Sequence, residues 1–312
     1  MGQLSQKHFI GIEDHNVNDL QKIIDTAYIF REILERPIKK VPSLTGINIV
    51  NLFFENSTRT KLSFELAEKR LSADITNFSA SSSSLKKGES LKDTIQNICS
   101  MKMDAVVMRH PIPGSPIQLT QYVDSVIINA GDGKHGHPTQ AMLDMMSLHE
   151  KFGYLKNLKI AIIGDILHSR VALSNIFGLV KMGAKVTLCG PPHLIPVKIK
   201  RLGVQVNYNI DEVMDWADAL NILRIQRERM GVGLIPSIRE YRSTFGITEE
   251  RMKNHKKELV FLHPGPMNRG VEIDSVVADS DQAIILDQVL NGVAVRMSIL
   301  FLLLSSASIE KD

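Results

Sequence analysis

Short apolar runs alternate along the chain with segments of helical period, and this alternation constrains the fold more than any other feature. Apolar runs bounded by Gly, Pro or Asn are typical of buried strands, and strands that alternate with helices indicate βαβ units and parallel sheets. We therefore expect an α/β protein with two doubly wound parallel sheets. The predicted strands are 47–54, 74–78, 105–108 and 126–129 in the first half, and 158–164, 184–189, 219–224 and 259–263 in the second.

The helix that opens at His137-Pro138 is the predicted join between two lobes, because Pro is tolerated in a first helical turn and apolar residues follow at helical spacing. The last helix, predicted at 288–306, is apolar on most faces and must pack against protein, which would return the chain to the first lobe. We expect one domain from 1–140 and 288–312 and a second from 141–287. Helices would join the two lobes, with the active site in the cleft between them.

Composition excludes several classes of protein. The 312 residues are 44% hydrophobic and 23% charged, which suffices for a core without disulfides or metals. A net charge of +3 is too small for the electrostatic footprint of a nucleic-acid-binding domain. Cys99 and Cys189 form no CxxC pair, which fits free thiols in a reducing compartment. The N-terminus has no secretory pattern, and the apolar run 297–304 is shorter than the ~20 residues that cross a bilayer. We expect a cytoplasmic protein with neither a nucleic-acid nor a membrane partner.

The segment 57–60, Ser-Thr-Arg-Thr, is the first candidate site. It lies between a predicted strand and a predicted helix whose inward stripe we expect to be Leu62, Leu66 and Leu71. Ser57 is placed to cap this helix, and a helix N-terminus with hydroxyls and a guanidinium is suited to bind phosphate. An ordinary N-cap beside a solvated arginine is an equal alternative on spacing alone. The Walker pattern is absent, which argues against a nucleoside triphosphate.

Further candidates lie where strands end, at the edge of a parallel sheet that binds ligands. Arg109 ends an apolar run, and a glycine-rich loop from 131 to 136 delivers His137 and Gln140 at a helix start. Pro138 restricts the backbone beside His137, which favours a functional interpretation of that residue. His135, in the same loop, is expected to be merely solvated.

The second lobe opens with a segment, 158–165, that resembles the start of a dinucleotide-binding unit, but the GxGxxG fingerprint is absent and a nicotinamide-dependent dehydrogenase is disfavoured. The planar guanidinium groups of Arg170 and Arg224 can each bind a carboxylate through two hydrogen bonds. Gln226 is expected on the same side of an extended segment as Arg224, because the two residues are spaced i, i+2. Together they predict a dicarboxylate substrate. The His-Pro-Gly-Pro turn at 263–266 is either a tight turn only or a source of carbonyl acceptors for an amine.

Five motifs, taken together and in order, resemble the catalytic chain of the aspartate carbamoyltransferases over nearly the whole sequence. They are Ser57-Thr58-Arg59-Thr60, Arg109-His110-Pro111, His137-Pro138-Thr139-Gln140, Arg224-x-Gln226 and His263-Pro264-Gly265-Pro266. The first and third motifs are shared across carbamoyltransferases, whereas the last two carry the aspartate assignment. Position 265 is glycine, whereas the enterobacterial type has leucine there, so the sequence does not decide whether the chain binds a regulatory chain. Binding of a dihydroorotase-like partner is also undecided.

The resemblance implies a transferase that joins carbamoyl phosphate to the α-amino group of L-aspartate, in pyrimidine synthesis and without a metal or organic cofactor. It also implies the role of each site residue. Phosphate would be held by Ser57, Thr58, Arg59, Thr60 and Arg109; the carbonyl oxygen by Thr60, Arg109 and His137; the carbamoyl NH₂ by Gln140 and the carbonyls of Pro264 and Gly265; and the aspartate carboxylates by Arg170, Arg224 and Gln226.

The resemblance further implies a homotrimer in which a serine and a lysine from a neighbouring subunit complete each active site. Lys87 matches the lysine, and Ser83 matches the serine by counting, although Ser82 or Ser84 is also compatible. Two alternative functions remain open. Ornithine or another amino acid could be the acceptor, although a second carboxylate requires Arg224. A non-catalytic anion-binding homologue would be expected to lose residues such as Arg59, which is present.

Overall fold

The computed structural model shows an α/β protein in two compact units, Met1–Met146 with Leu290–Asp312, and Ser147–Val289. Each unit is built on one parallel sheet, so the predicted fold class is confirmed. The residues that the structure describes are 3–79, 90–225, 237–255 and 258–305.

The first unit contains a four-stranded parallel sheet in the order β2-β1-β3-β4. All the strands predicted in this half are confirmed, and β3 and β4 run further at their carboxyl ends. Apolar side chains such as Val50, Val106 and Ile127 form the core beneath one face of the sheet. The strands are β1 (Asn48–Phe53), β2 (Asp74–Ser79), β3 (Ala105–His110) and β4 (Val126–Asp132). The helices that begin in this unit are α1 (Val17–Glu35), α2 (Thr58–Arg70), α3 (Leu91–Ser100), α4 (Ser115–Leu119) and α5 (Pro138–Phe152).

Helix α2 presents a different face to the sheet from the one predicted. Leu62 is 53% exposed and Leu66 is half-buried, so the expected leucine stripe is wrong except at Leu71, which is fully buried. The buried face instead includes Phe64 and Glu68, which are spaced by one helical turn. A hydrogen bond of 2.8 Å from Asn51 Nδ2 on β1 to Glu68 Oε2 holds this face against the sheet.

The second unit contains a five-stranded parallel sheet in the order β7-β6-β5-β8-β9. The four predicted strands are confirmed, and the short edge strand β7 was not predicted. Residues such as Ile163, Ile222 and Phe261 are buried in the core of this unit. The strands are β5 (Lys159–Ile163), β6 (Lys185–Cys189), β7 (Gln205–Val206), β8 (Ala219–Ile222) and β9 (Val260–Leu262). The helices are α6 (Arg170–Lys181), α7 (Ile210–Trp216), α8 (Ile238–Phe245), α9 (Glu249–Asn254) and α10 (Ser275–Ala278).

The last helix, α11 (Ile285–Leu304), returns the chain to the first unit, as predicted. Phe301 packs edge-on against Phe30 of α1, with ring centroids 5.6 Å apart, and Ser298 Oγ donates to Ile23 O at 2.8 Å. Within the described residues, α11 is the one helix long and apolar enough to cross a membrane, but 72% of its apolar window is buried inside the protein. This burial is typical of a core helix.

Candidate active site

Several of the predicted site residues follow strands at the switch point of a sheet. In doubly wound sheets, ligands bind at the carboxyl ends of the strands where the strand order reverses. That point lies between β1 and β3 in the first unit, and between β5 and β8 in the second. Segment 57–60 follows β1 and Arg109 lies at the end of β3, whereas Arg170 and Arg224 follow β5 and β8.

Arg109 is held by contacts on two sides of its guanidinium. Its Nε donates to Glu55 Oε1 at 2.7 Å, and its Nη1 donates to Thr60 Oγ1 and to Ala130 O, each at 3.3 Å. The Arg109 and Glu55 side chains are only 12% and 19% exposed. The structure therefore brings Arg109 and Thr60 together, as predicted, and adds Glu55 as a carboxylate that orients the guanidinium.

Helix α2 begins immediately after Ser57, so segment 57–60 forms a helix N-terminus as predicted. The first intrahelical bond runs from Lys61 N–H to Ser57 O, and the N–H groups of Thr58, Arg59 and Thr60 therefore precede the helical ladder. Such N–H groups, at the positive end of the helix dipole, favour an anion. Among the described residues the Ser57 hydroxyl makes no capping hydrogen bond, so the predicted side-chain cap is wrong.

Asp132 organises the loop that precedes α5. Its carboxylate accepts hydrogen bonds from Gly114 N–H at 2.8 Å and Gly136 N–H at 3.0 Å. Burial opposes ionisation of Asp132, but hydrogen bonds from His135, Gly114 N–H and Asn129, together with the charge of His135, lower its pKa below the usual value. The loop from Asp132 to Gly136 is therefore fixed by a buried carboxylate.

His135 takes part in this arrangement rather than lying free in solvent, so the prediction for it is wrong. Its Nδ1 lies 3.1 Å from Asp132 Oδ2 and its Nε2 lies 3.3 Å from Glu13 Oε1. Hydrogen bonds from the ring to Asp132 and Glu13 raise the pKa of His135 to about 10. The ring is therefore an imidazolium at neutral pH, bridging two carboxylates. The acidic residue three positions earlier was the available sequence signal.

His137 and Gln140 lie at the start of α5, and both are buried, with 5% and 9% exposure. Gln140 Nε2 donates to Asp144 Oδ1 one turn along the helix at 2.9 Å. Because Asp144 takes the amide nitrogen, the amide oxygen of Gln140 is oriented as an acceptor. An acceptor here suits a ligand that carries an NH₂ group.

Arg296 on α11 is a buried cation that the sequence analysis did not select. It is 3% exposed, and it donates to Ser63 Oγ at 2.9 Å and to Thr139 Oγ1 at 3.3 Å. Its guanidinium also stacks over the ring of Phe64, 5.0 Å from the centroid. Burial and the charge of Arg109 lower the pKa of Arg296 to about 9. Arg296 thus links the second turn of α2 to the first turn of α5, and the starts of these two helices contain the predicted ligands of the phosphate and the carbonyl oxygen.

In the second unit, Arg170 is the first residue of α6 and is 4% exposed. Ser169 caps that helix through a bond from Ala172 N–H to its hydroxyl at 3.2 Å. Arg224 is half-buried two residues beyond β8. Gly164 directly follows β5 and has a φ of +123°, and a Cβ there would be 3.3 Å from Leu223 Cβ, so glycine permits the ends of β5 and β8 to approach closely. Gln226, Ser83 and Lys87 lie outside the described residues.

The His263-Pro264-Gly265-Pro266 turn follows β9 and is held through hydrogen bonds that involve His263. His263 N–H donates to Gln288 Oε1 at 2.9 Å, and Gly265 N–H donates to His263 Nδ1 at 2.8 Å. His263 is buried, whereas Pro264 and Gly265 are half-buried. The turn is therefore fixed through its histidine.

The chain is similar to known proteins over nearly its whole length. Residues 7–150 match the family model described as "Aspartate/ornithine carbamoyltransferase, carbamoyl-P binding domain", and residues 156–303 match its "Asp/Orn binding domain". The aspartate carbamoyltransferase catalytic subunits of Christiangramia forsetii and Cytophaga hutchinsonii are 59% and 56% identical over 303 residues. These matches cover 97% of this chain and 98% and 99% of theirs.

Solved structures give the same result. The aspartate transcarbamoylase of Trypanosoma cruzi in complex with carbamoyl phosphate and aspartate has a TM-score of 0.87 and 30% identity, covering 96% of this chain and 95% of that one. Its complex with N-(phosphonacetyl)-L-aspartic acid also has a TM-score of 0.87, with 31% identity and 96% coverage of both chains.

Proposed function

The chain belongs to the aspartate/ornithine carbamoyltransferase family, and we propose that the residues at the carboxyl edges of its two sheets perform the reaction of an aspartate carbamoyltransferase. The enzyme transfers the carbamoyl group of carbamoyl phosphate to the α-amino group of L-aspartate, giving N-carbamoyl-L-aspartate and phosphate for pyrimidine biosynthesis. The observation that carries the residue assignment is the contact of Arg109 with Thr60 at the switch point of the first sheet. We assign carbamoyl phosphate to the first unit and aspartate to the second.

The difficult step is attack of a neutral amine on a carbonyl carbon, with an oxyanion developing and phosphate departing. Preorganised donors aimed at these developing charges are the main source of catalysis in such reactions. The N–H groups and hydroxyls of segment 57–60, with Arg59 and Arg109, hold the phosphate in this proposal. Arg59 stabilises the leaving charge, and Thr60, Arg109 and His137 donate to the carbonyl oxygen. The clamp on Arg109 by Glu55 supports this role, because a fixed guanidinium needs no reorganisation during the reaction.

The carbamoyl NH₂ needs acceptors, and Gln140 meets this need with its amide oxygen. Its amide nitrogen is bonded to Asp144, which supports the assignment. The carbonyls of Pro264 and Gly265 are the further proposed acceptors. On the aspartate side, Arg170 and Arg224 bind the carboxylates, with Gln226 beside Arg224. Arginine forks favour a dicarboxylate over ornithine, since a cationic side chain would meet like charges.

Substitution of Arg224 tests the substrate assignment. Arg224→Ala is expected to raise the KM for aspartate steeply while inorganic phosphate still binds, because one substrate alone loses a carboxylate fork. A colorimetric assay of N-carbamoyl-aspartate gives the KM, and calorimetry gives the Kd for phosphate. Loss of phosphate binding with unchanged aspartate saturation would reverse the assignment of the two units. Activity with ornithine in place of aspartate would contradict the proposed acceptor.

We further propose a cytoplasmic homotrimer in which Lys87 and Ser83 enter the active site of a neighbouring subunit. The support is the family membership, and the test is complementation. Lys87→Ala and Arg170→Ala are each expected to be nearly inactive, because each damages every site of its own trimer. In a mixed trimer about one site in three combines an intact Arg170 with an intact Lys87 from the neighbour. Co-expressed, verified mixed trimers without any gain in activity would place Lys87 outside the shared site.

A further inference from the structure

Glu272 and Asn268 form a cluster with His263, the first residue of the His-Pro-Gly-Pro turn of the second unit, and neither Glu272 nor Asn268 has a role in the proposed reaction. Glu272 is fully buried. Its Oε1 accepts from Asn268 N–H at 2.6 Å and lies 3.3 Å from His263 Nε2, while its Oε2 accepts from Asn268 Nδ2 at 3.2 Å. We refer to these three residues as the Glu272 cluster.

The hydrogen bonds fix the protonation of His263. Gly265 N–H donates to His263 Nδ1, so that ring nitrogen carries no proton. The proton of the neutral ring is therefore on Nε2, from which it is donated to Glu272 Oε1. Glu272 thus orients the imidazole, and the imidazole in turn holds the backbone of Gly265, whose carbonyl is a proposed acceptor for the carbamoyl NH₂.

Asn268 connects the same cluster to the aspartate-binding segment. Its Nδ2 donates to Glu272 Oε2 and also to Ile225 O, each at 3.2 Å. An amide NH₂ has two hydrogens, so it can make both bonds at once. Ile225 is buried and lies between Arg224 and Gln226, the pair assigned to the aspartate carboxylates. One side chain therefore links the segment that binds one substrate to the carboxylate that fixes the turn for the other.

We propose that Asn268 and Glu272 are positioning residues that hold Arg224 and Ile225 in fixed register with the His-Pro-Gly-Pro turn. This inference rests on the proposed function, because it concerns the binding of aspartate. A guanidinium binds a carboxylate through two parallel hydrogen bonds, so its affinity depends on its orientation. Small displacements of a positioned group also reduce the catalytic rate strongly. Loss of the link should therefore weaken aspartate binding and turnover while leaving phosphate binding in the first unit unchanged.

The test compares Asn268→Ala with Arg269→Ala. Arg269 is the adjacent residue, with an exposed side chain that pairs with Asp279, and it serves as the matched control. We expect Asn268→Ala to raise the KM for aspartate by about tenfold and to lower kcat, with the Kd for inorganic phosphate within about twofold of wild type. Arg269→Ala should match wild type in all three quantities.

Glu272→Gln is the second variant. Its new NH₂ must face a donor, either His263 Nε2–H or Asn268 Nδ2–H, so it should reproduce the selective loss of aspartate binding. Asn268→Ser replaces Asn268→Ala if the latter does not fold, because the shorter hydroxyl cannot make both bonds. An aspartate KM equal to that of Arg269→Ala overturns the inference. A parallel loss of phosphate affinity overturns it as well, since it would indicate a general structural role. A wild-type chain that forms no carbamoyl-aspartate overturns the proposed function itself.

Discussion

The double contact of Arg109 leads to a prediction that separates its geometry from its charge. Arg109→Lys keeps a positive charge at the end of β3 but replaces a planar fork by a single ammonium group. The arginine directs Nε to Glu55 at 2.7 Å and Nη1 to Thr60 at 3.3 Å. A lysine nitrogen that binds Glu55 is drawn away from Thr60 and from the phosphate, so at least one charge-assisted hydrogen bond to the substrate is lost.

The expected size of the effect follows from the value of such a bond. Hydrogen bonds to charged groups contribute about 1.5–3 kcal/mol, which corresponds to roughly 10- to 150-fold in an equilibrium or rate constant. The low exposure of Arg109 and Glu55, 12% and 19%, means that water cannot fully replace the lost bond. We expect kcat/KM for carbamoyl phosphate to fall within this range in Arg109→Lys, and the KM for aspartate at saturating carbamoyl phosphate to change by less than about threefold.

The measurement is steady-state formation of N-carbamoyl-aspartate, with each substrate varied in turn. Arg269→Lys is the control, because it makes the same exchange in an exposed fork that donates to both oxygens of Asp279 at 2.7 Å. Glu55→Gln adds a test of the clamp, since it removes the charge and keeps an acceptor. Glu55→Gln should lower kcat/KM for carbamoyl phosphate strongly in the wild type and only slightly in Arg109→Lys. A double-mutant cycle measures this difference as the coupling between the two residues. A value of kcat/KM within threefold of wild type for Arg109→Lys would refute the role of the fork.

Two further predictions concern the helix that follows the first strand. Arg59→Ala should lower kcat by at least ~10²-fold, because it removes a charged donor from the departing phosphate, and retention of more than about a tenth of wild-type kcat would contradict that role. Glu68→Gln should stabilise the fold at pH 8 but not at pH 4. Burial raises the pKa of Glu68 to about 7 from the ordinary 4.5, so its ionisation reduces stability progressively as the pH rises between these values, by about 3 kcal/mol in total. Thermal midpoints of the wild type and the variant at the two pH values measure this, and a pH-independent difference would contradict it.

The strands were predictable because a parallel strand covered on both faces consists of a nearly continuous apolar run. All eight predicted runs are strands in the structure, whereas β7, a strand of two residues at a sheet edge, has no such run. The predicted strands 105–108 and 126–129 ended before the carboxyl ends of β3 and β4, because the last residues of both strands are polar. Arg109 and His110 still pair within the sheet, and so does Asp132. Arg109, which a hydropathy pattern excludes from β3, is thus held by that strand at the position where we propose that it binds carbamoyl phosphate.

The buried face of α2 could not be predicted in the same way. Leucines at 62 and 66 suggested an apolar stripe, but the face that meets β1 contains Glu68, which Asn51 holds at 2.8 Å. A pairing between a strand and the following helix is a tertiary contact, and no local pattern in α2 indicates that its most buried polar residue has a partner on the strand before it. His135 was assigned to solvent for a similar reason, since its contact with Glu13 joins two segments far apart in sequence.

Arg296 could have been identified from the sequence as a candidate site residue, but its hydrogen-bond partners could not. A charged residue in an apolar helix is costly to bury unless other groups pair with it, so a lone arginine within 290–304 indicates a site on physical grounds alone. The sequence of residues 290–304 does not show which residues pair with Arg296. Ser63 and Thr139 lie 233 and 157 residues earlier, on α2 and α5, the two helices whose starts contain the proposed ligands for carbamoyl phosphate. Burial lowers the pKa of Arg296 to about 9, still above neutral, so the guanidinium remains charged and keeps these donors engaged. The charged guanidinium therefore links α2 and α5, two helices of the proposed site that are far apart in the sequence.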